Sequence, residues 1–340
     1  MPKDLLMFAG GLALLLLGGR FLVSASVDAA RRLRVSTLVV GLTLVAWGTS
    51  APELALNIVS AIKGRADLSL GNIVGANICN MALVLGACAV MKPLVVQQRL
   101  IAVEIWLNAA ILVFFAAICL IAEVSRWQTA IMLAIFTGYS AWTIMSALQQ
   151  SRREQRAGVA APSGPDAPSP DPVDSAPPMA WWLIGLSFVG GLVLLGAGGS
   201  FCSDGASGIA IGLGVPAAVV GVTIVSIGTT LPEMVTSVMA VRKGQTDLAM
   251  GNAIGSCILN AGLIFGVVGL IAPPGSHVTA NFTIPLVYMA LLAAALVPIS
   301  RTFGKTVSRV EGAGLLASYG AFLAFAAWLA LRNASGNQPV

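Results

Sequence analysis

The sequence predicts an all-α polytopic membrane protein of about ten transmembrane helices, arranged as two inverted five-helix repeats. Three observations carry this prediction. Hydrophobic residues make up 57% of the chain and charged residues 10%, against roughly 45–50% and about 25% in soluble domains. Apolar runs long enough to cross a ~30 Å hydrocarbon core, which takes about 20 helical residues, recur along nearly the whole length. The second half also repeats the first at a fixed offset, so that residue 53 matches residue 233.

Taken in order, the apolar runs fall at about 5–23, 36–62, 68–91, 101–122 and 127–148, then at 180–202, 213–241, 246–272, 282–300 and 310–331. Their length and Gly/Ala/Leu content predict helices, because strands of an outer-membrane barrel are short and alternate. The first run has a basic residue before it and small residues after it, as a signal peptide would. Its match to a mid-chain run predicts that it is retained. FAGGLALLLLGGRF at 8–21 shares 9 of 14 positions with FVGGLVLLGAGGSF at 188–201.

Between the halves, AGVAAPSGPDAPSPDPVDSAPP at 157–178 is rich in Pro and poor in large apolar side chains, which predicts a disordered cytoplasmic linker. The expected organisation is a first repeat over 1–150, a linker over 151–179 and a second repeat over 180–340. Across 40–86 against 220–266, 19 of 47 positions are identical, among them Thr49/Thr229, Pro52/Pro232, Glu53/Glu233, Asn72/Asn252 and Asn80/Asn260. Chance in apolar sequence would repeat Leu and Ala, not this polar set. Five spans is an odd number, so consecutive copies enter the membrane from opposite sides, the architecture of many secondary transporters.

The net charge of +5 reads as topology. Basic residues gather in cytoplasmic loops, and with the amino terminus outside, 14 of the 19 Lys and Arg residues fall on the inner side. Both termini are therefore expected outside a bacterial inner (plasma) membrane. No aromatic-interleaved basic stripe suggests nucleic acid; the expected partners are membrane lipid and inorganic cations, and no protein partner is implied. Cys79, Cys88, Cys119, Cys202 and Cys257 lack metal-binding spacing and read as small packing residues.

The chemistry lies in GTSAPE at 48–53 and GTTLPE at 228–233. A carboxylate at membrane depth costs at least ~2.5–3.5 kcal/mol on insertion scales, so Glu53 and Glu233 imply a cation. Pro52 and Pro232 lack an N–H and break the helix, leaving the carbonyls of Gly48 and Gly228 without a helical donor. Helical spacing sets Thr49 and Ser50 on the face of Glu53, and Thr229 and Thr230 on that of Glu233. In the next helix Ser256 and Asn260, four apart, offer two further oxygens; their counterparts are Ala76, which offers none, and Asn80. Hard oxygens select Ca²⁺, Na⁺ or Mg²⁺, and flexible mixed ligation favours Ca²⁺ and Na⁺. Gly71, Gly75, Gly251 and Gly255 supply a small-residue face for close helix contact.

The combination GTSAPE…GNIVGANICN and GTTLPE…GNAIGSCILN resembles the two alpha-repeats of the calcium/cation antiporter superfamily, which includes the sodium/calcium exchangers. The resemblance covers essentially the whole chain. It implies ion ligands at Glu53, Thr49, Ser50 and Asn80, and at Glu233, Thr229, Thr230, Ser256 and Asn260, with backbone carbonyls at Ala46 and Ser226. It further implies alternating access, with the Gly-rich first and sixth helices sliding against the ligand-bearing core. Ala76 stands where exchangers commonly have a hydroxyl, Thr230 where Ser is usual, and Asn260 where several relatives carry Asp. The linker is too short for the calcium-sensing domains of animal exchangers.

The leading expectation is thus Ca²⁺/Na⁺ antiport through Glu53 and Glu233, with a H⁺-coupled antiporter as the alternative, since a carboxylate in low dielectric can carry the proton itself. A cation channel built from the same ligands is a third reading. An enzyme is not expected, and no cofactor. His277, the sole histidine, falls in a loop, no HExxH is present, and GKT at 304–306 lacks a P-loop glycine. Asp67 and Asp247 read as helix caps, Glu104 and Glu123 as snorkelling helix-end charges. Asp28 and Asp204 read as solvated loop charges, with cation steering as the functional alternative.

Overall fold

The computed structural model describes residues 2–64, 66–121, 124–156, 179–213, 226–271, 282–302 and 304–334. Helix α1 is Pro2–Leu33. The second span is a bent pair, α2 (Thr37–Thr49) and α3 (Ala51–Ile62), which meet at 45°. Then follow α4 (Leu68–Met91), α5 (Leu100–Leu120) and α6 (Arg126–Arg153). The second half comprises α7 (Trp181–Gly212), α8 (Ser226–Arg242), α9 (Thr246–Ile271), α10 (Thr283–Ile299) and α11 (Arg309–Leu329). Each of the ten expected apolar runs therefore carries a helix.

Burial ranks these helices. The apolar windows of α4 and α9 are 78% and 72% buried, whereas those of α1, α6, α7 and α11 are at most 33% buried. The outer helices present Leu, Phe and Trp to their surroundings, among them Leu12, Trp127, Trp182 and Phe325, a surface that only lipid can solvate. The inner pair carries Asn72, Asn80, Asn252, Ser256 and Asn260, described below with the polar residues of α2, α3 and α8.

Spatial neighbours fix the parity of the spans. Strand β1 (Leu94–Val95), between α4 and α5, pairs antiparallel with β2 (Thr306–Val307), between α10 and α11. At that same end Gln97 donates to Asp247 Oδ2 (2.6 Å), Ser151 donates to Leu33 O (2.9 Å) and Lys243 donates to Ser24 Oγ (2.6 Å). Residues 24–35, 92–99, 151–153, 243–247 and 305–307 thus share one end of the bundle, and nine of the 19 basic residues lie in those stretches. Half-burial and the nearby Arg20 guanidinium hold the Lys243 ammonium below its ordinary value.

Several expectations change. α1 and α7 run on to Leu33 and Gly212, so Asp28 and Asp204 are helical residues, not loop charges. Asp28 accepts from the Met179 N–H (3.2 Å) and pairs with Arg31 (3.7 Å). Asp247 lies in the first turn of α9 and takes Gln97; the cap position is Gln245. Glu104 does not snorkel: it is fully buried, pairs with Arg99 (3.2 Å), and Arg99 stacks over Trp142 at 5.4 Å. A second-half helix broken at Pro232 was expected, but α8 runs continuously through that proline. The linker 157–178, Glu123, His277 and the side chain of Asp67 lie outside the described residues. All five cysteines are buried.

Candidate functional site

The first repeat builds its half of the site on the bend between α2 and α3. Ser50 leaves helical geometry (φ −86°, ψ 6°) and Pro52 opens α3 in its first turn, where a missing N–H removes no helical bond. Glu53 consequently sits in the first turn of α3, and the positive end of the helix dipole favours a carboxylate there. The Ser50 N–H reaches Ala46 O (3.0 Å) and the Leu54 N–H reaches Ser50 O (3.0 Å). The Ser50 side chain makes no cap bond; it is released for other work.

That work is contact with the other repeat. The Ser50 hydroxyl donates to Glu233 Oε1 (2.9 Å) and stands 3.1 Å from the Ser256 hydroxyl. Thr49 Oγ1 lies 3.1 Å from Val45 O and 3.2 Å from Asn252 Oδ1, within reach of Glu233. Reciprocally, the Asn72 amide donates to Thr229 Oγ1 (3.2 Å). Each repeat therefore holds the threonine of the other.

Eight of the nine expected side chains (Thr49, Ser50, Glu53, Asn80, Thr230, Glu233, Ser256 and Asn260) are at most 1% exposed, and Thr229 is half-buried. Glu53 and Glu233 lie within electrostatic reach of each other. Asn80 and Asn260 both sit in π-helical turns, Cys79–Val84 and Asn260–Ile264. Such turns widen the helix and turn a side chain out of register, and they recur at functional sites. The turn of Asn80 packs on α8, and that of Asn260 packs on α3 and α4. Of the two backbone carbonyls, Ala46 O is engaged by the Ser50 N–H, and Ser226 opens the described part of α8.

The decisive feature is what these groups lack. Both oxygens of Glu53, Oε2 of Glu233, both side-chain polar atoms of Asn80 and Oδ1 of Asn260 are buried without a hydrogen-bond partner. No Lys or Arg pairs with either glutamate among the described residues. A buried carboxylate without compensation is strongly unfavourable, and apart from the Asn80 amide nitrogen these unpartnered atoms are hard oxygens.

Sequence reading passed over a supporting tier. Asn252 donates to Glu233 O (3.2 Å) and to Ser237 Oγ (3.0 Å), while Asn57, at the position matching Ser237, donates to Glu53 O (2.8 Å) and Asn72 Oδ1 (2.7 Å). Ser69 completes the first-repeat set by donating to Asn57 Oδ1 (2.7 Å). The identity of Asn72 and Asn252 between repeats was the available signal.

Comparison with known proteins decides the family. The family described as sodium/calcium exchanger protein matches residues 3–145 and 183–328, in two blocks that leave out the linker. The chain belongs to that family. It is 30% identical over 338 residues to the sodium/calcium exchanger MaX1 of Methanosarcina acetivorans, covering 92% of this chain and 95% of that protein. It is also 28% identical to the inner membrane protein YrbG of Escherichia coli (strain K12), over 77% of this chain and 78% of that one. A solved structure of the sodium-calcium exchanger NCX_Mj superposes with a TM-score of 0.77 at 27% identity, covering 95% of this chain and 98% of that chain. As a sodium/calcium exchanger family member, the chain is a multi-pass membrane protein of the cation-antiporter class with the ten-helix inverted-repeat fold.

Proposed function

We propose that this protein is a secondary antiporter exchanging Ca²⁺ for Na⁺ across the plasma membrane by alternating access, with Glu53 and Glu233 shared by the competing ions. The observation that carries this reading is the pair of buried glutamates, three of whose four oxygens have no partner. Two carboxylates carry about −2 when ionised, which one Ca²⁺ or two Na⁺ would balance. Because either load requires the same oxygens, occupancy by one excludes the other, and mutual exclusion is the physical basis of exchange. Thr49, Ser50 and Asn80, with Thr229, Thr230, Ser256 and Asn260, complete the proposed ligand set. Among the described residues no three of His, Cys, Asp and Glu come together, which suits a cargo ion that must leave more than a resident metal.

The proposed moving part is the pair α1 and α7. Their axes approach so closely that a Cβ on Gly18 would lie 2.8 Å from Gly191 O, and one on Gly198 would lie 2.8 Å from Leu15 N. The pair also lines the site helices: a Cβ on Gly48 would meet Leu192, and Gly199 lies against Gly228 and Pro232. Such a smooth contact permits sliding without unlocking side chains.

Reconstituted vesicles test the proposal. ⁴⁵Ca²⁺ uptake driven by an outward Na⁺ gradient, and lost in both Glu53→Gln and Glu233→Gln, is the expected result. Uptake driven only by a pH gradient would replace Na⁺ by H⁺ as the coupling ion. Unchanged uptake in both variants would overturn the site.

A further inference from the structure

Away from the exchange site, an apolar groove of about 370 Å³ opens between α2 and α6, lined by Leu33, Val39, Leu44, Trp47, Ile144 and Leu148 among others. Its volume lies in the range of small-ligand pockets, roughly 300–1,000 Å³. Its lining residue Leu33 accepts a hydrogen bond at its carbonyl from Ser151 (2.9 Å). Arg34 and Arg152 are the residues that directly follow those two partners, and both are exposed. On α6 the residues Ile144, Leu148 and Arg152 are spaced four apart and so share one face. Arg152 therefore stands one turn beyond the apolar stripe that lines the groove.

Arg34 stands out on independent grounds. α1 ends in a Schellman turn, with Val35 N–H on Ala30 O (3.0 Å) and Arg34 N–H on Arg31 O (3.3 Å), and Arg34 adopts φ +54°. That position ordinarily takes glycine, and the matching position of the second repeat is indeed Gly214. The first repeat carries a long cationic side chain where backbone geometry favours none, and strain of this kind accompanies function.

We infer that this groove is a binding site for one anionic phospholipid, with an acyl chain between α2 and α6 and the phosphate held by Arg34 and Arg152. A planar guanidinium matches phosphate oxygens in a bidentate fork. The opposed chemistry, apolar along the groove with Arg34 next to its lining residue Leu33 and Arg152 one turn beyond Leu148, suits a phospholipid lying parallel to the helices. The groove is built partly from Thr43 and Leu44 of the π-helical turn Gly41–Val45 and from Trp47, two residues before Thr49. Lipid occupancy thereby props the arm that carries the Thr49 and Ser50 half of the exchange site.

The test is thermal unfolding of the purified full chain in detergent, titrated with dioleoylphosphatidylglycerol or dioleoylphosphatidylcholine. Phosphatidylglycerol is expected to raise the unfolding temperature at lower concentration than phosphatidylcholine. Arg34→Gly relieves the turn and should leave lipid-free stability equal or higher, yet weaken the phosphatidylglycerol response about fivefold, as removal of one surface cation implies. Arg152→Gln should do the same, and Ala147→Leu, which fills the groove, should weaken the response to phosphatidylglycerol. Equal responses to the two lipids, or a wild-type response in the Arg34→Gly/Arg152→Gln double variant or in Ala147→Leu, would overturn the assignment. The readout does not depend on which ion the protein exchanges.

Discussion

Glu53 and Glu233, each 1% exposed and without a basic partner among the described residues, set two opposite demands on stability. In the absence of cations they are expected to oppose folding; the proposed divalent ion between them would favour it. Glu53→Gln should therefore raise the unfolding temperature in chelator, by a margin on the order of 2 kcal/mol, while abolishing the Ca²⁺-dependent rise, which is about 2.7 kcal/mol at 100 times Kd for a competent site. A Ca²⁺ response equal to wild type would place the ion elsewhere. Asn252 contributes differently, since it touches Thr49, Glu233 O and Ser237 and would act through their placement. Asn252→Leu is expected to lower Ca²⁺ affinity roughly 10–100-fold, as supporting partners of ion ligands do, with Ser237→Ala milder; isothermal titration checks both. The sequence made the glutamates legible because a charge inside an apolar run is conspicuous. It could not show that Thr49 meets Asn252, 203 residues away, nor that Arg99 and Trp142 bury Glu104. Those contacts depend on which helices pack together.

At the level of helices, hydropathy located every span because the hydrocarbon core selects for apolar length. It misjudged the ends of α1 and α7, where helix continues past the charges of Asp28 and Asp204. The π-helical turns holding Asn80 and Asn260 were also hidden, since an inserted residue leaves no compositional mark. Pro52 announced the break at Ser50, but Pro232 gave the same signal inside a continuous helix. The glycines of α1 separate into two kinds. A Cβ on Gly11 would lie 2.5 Å from Cys202 N and 2.8 Å from Gly198 O, whereas one on Gly10 meets nothing within 4 Å. Backbone atoms cannot yield as a side-chain tip can. Gly11→Ala is thus expected to force α1 from α7 and depress both thermal stability and exchange. Gly10→Ala should be neutral or stabilising by about 0.5–1 kcal/mol, the ordinary gain for removing glycine from a helix. Parallel unfolding and flux measurements on the two variants distinguish them, and equal behaviour would mean that the helix pair is not close-packed.

For the whole molecule, the pairing of β1 with β2 and the bonds Gln97–Asp247 and Ser151–Leu33 place alternate connections at a common end. That end carries Arg31, Arg32, Arg34, Lys92, Arg99, Arg152, Arg153, Lys243 and Lys305, while Lys63 follows α3 at the other. Packing fixes which connections lie together; it does not fix which end faces the cytoplasm. The basic residues supply the expectation that this end is the inner one, because Lys and Arg are retained on that side during insertion. The expected orientation is therefore testable with single cysteines, and since all five native cysteines are buried the background should be low. In intact cells a membrane-impermeant maleimide should label Lys63→Cys and leave Lys92→Cys unlabelled until the membrane is opened. Both positions are exposed, so differences in labelling would report sidedness and not burial. The reverse pattern would invert the molecule, placing the Arg34 and Arg152 end of the lipid groove in the outer leaflet.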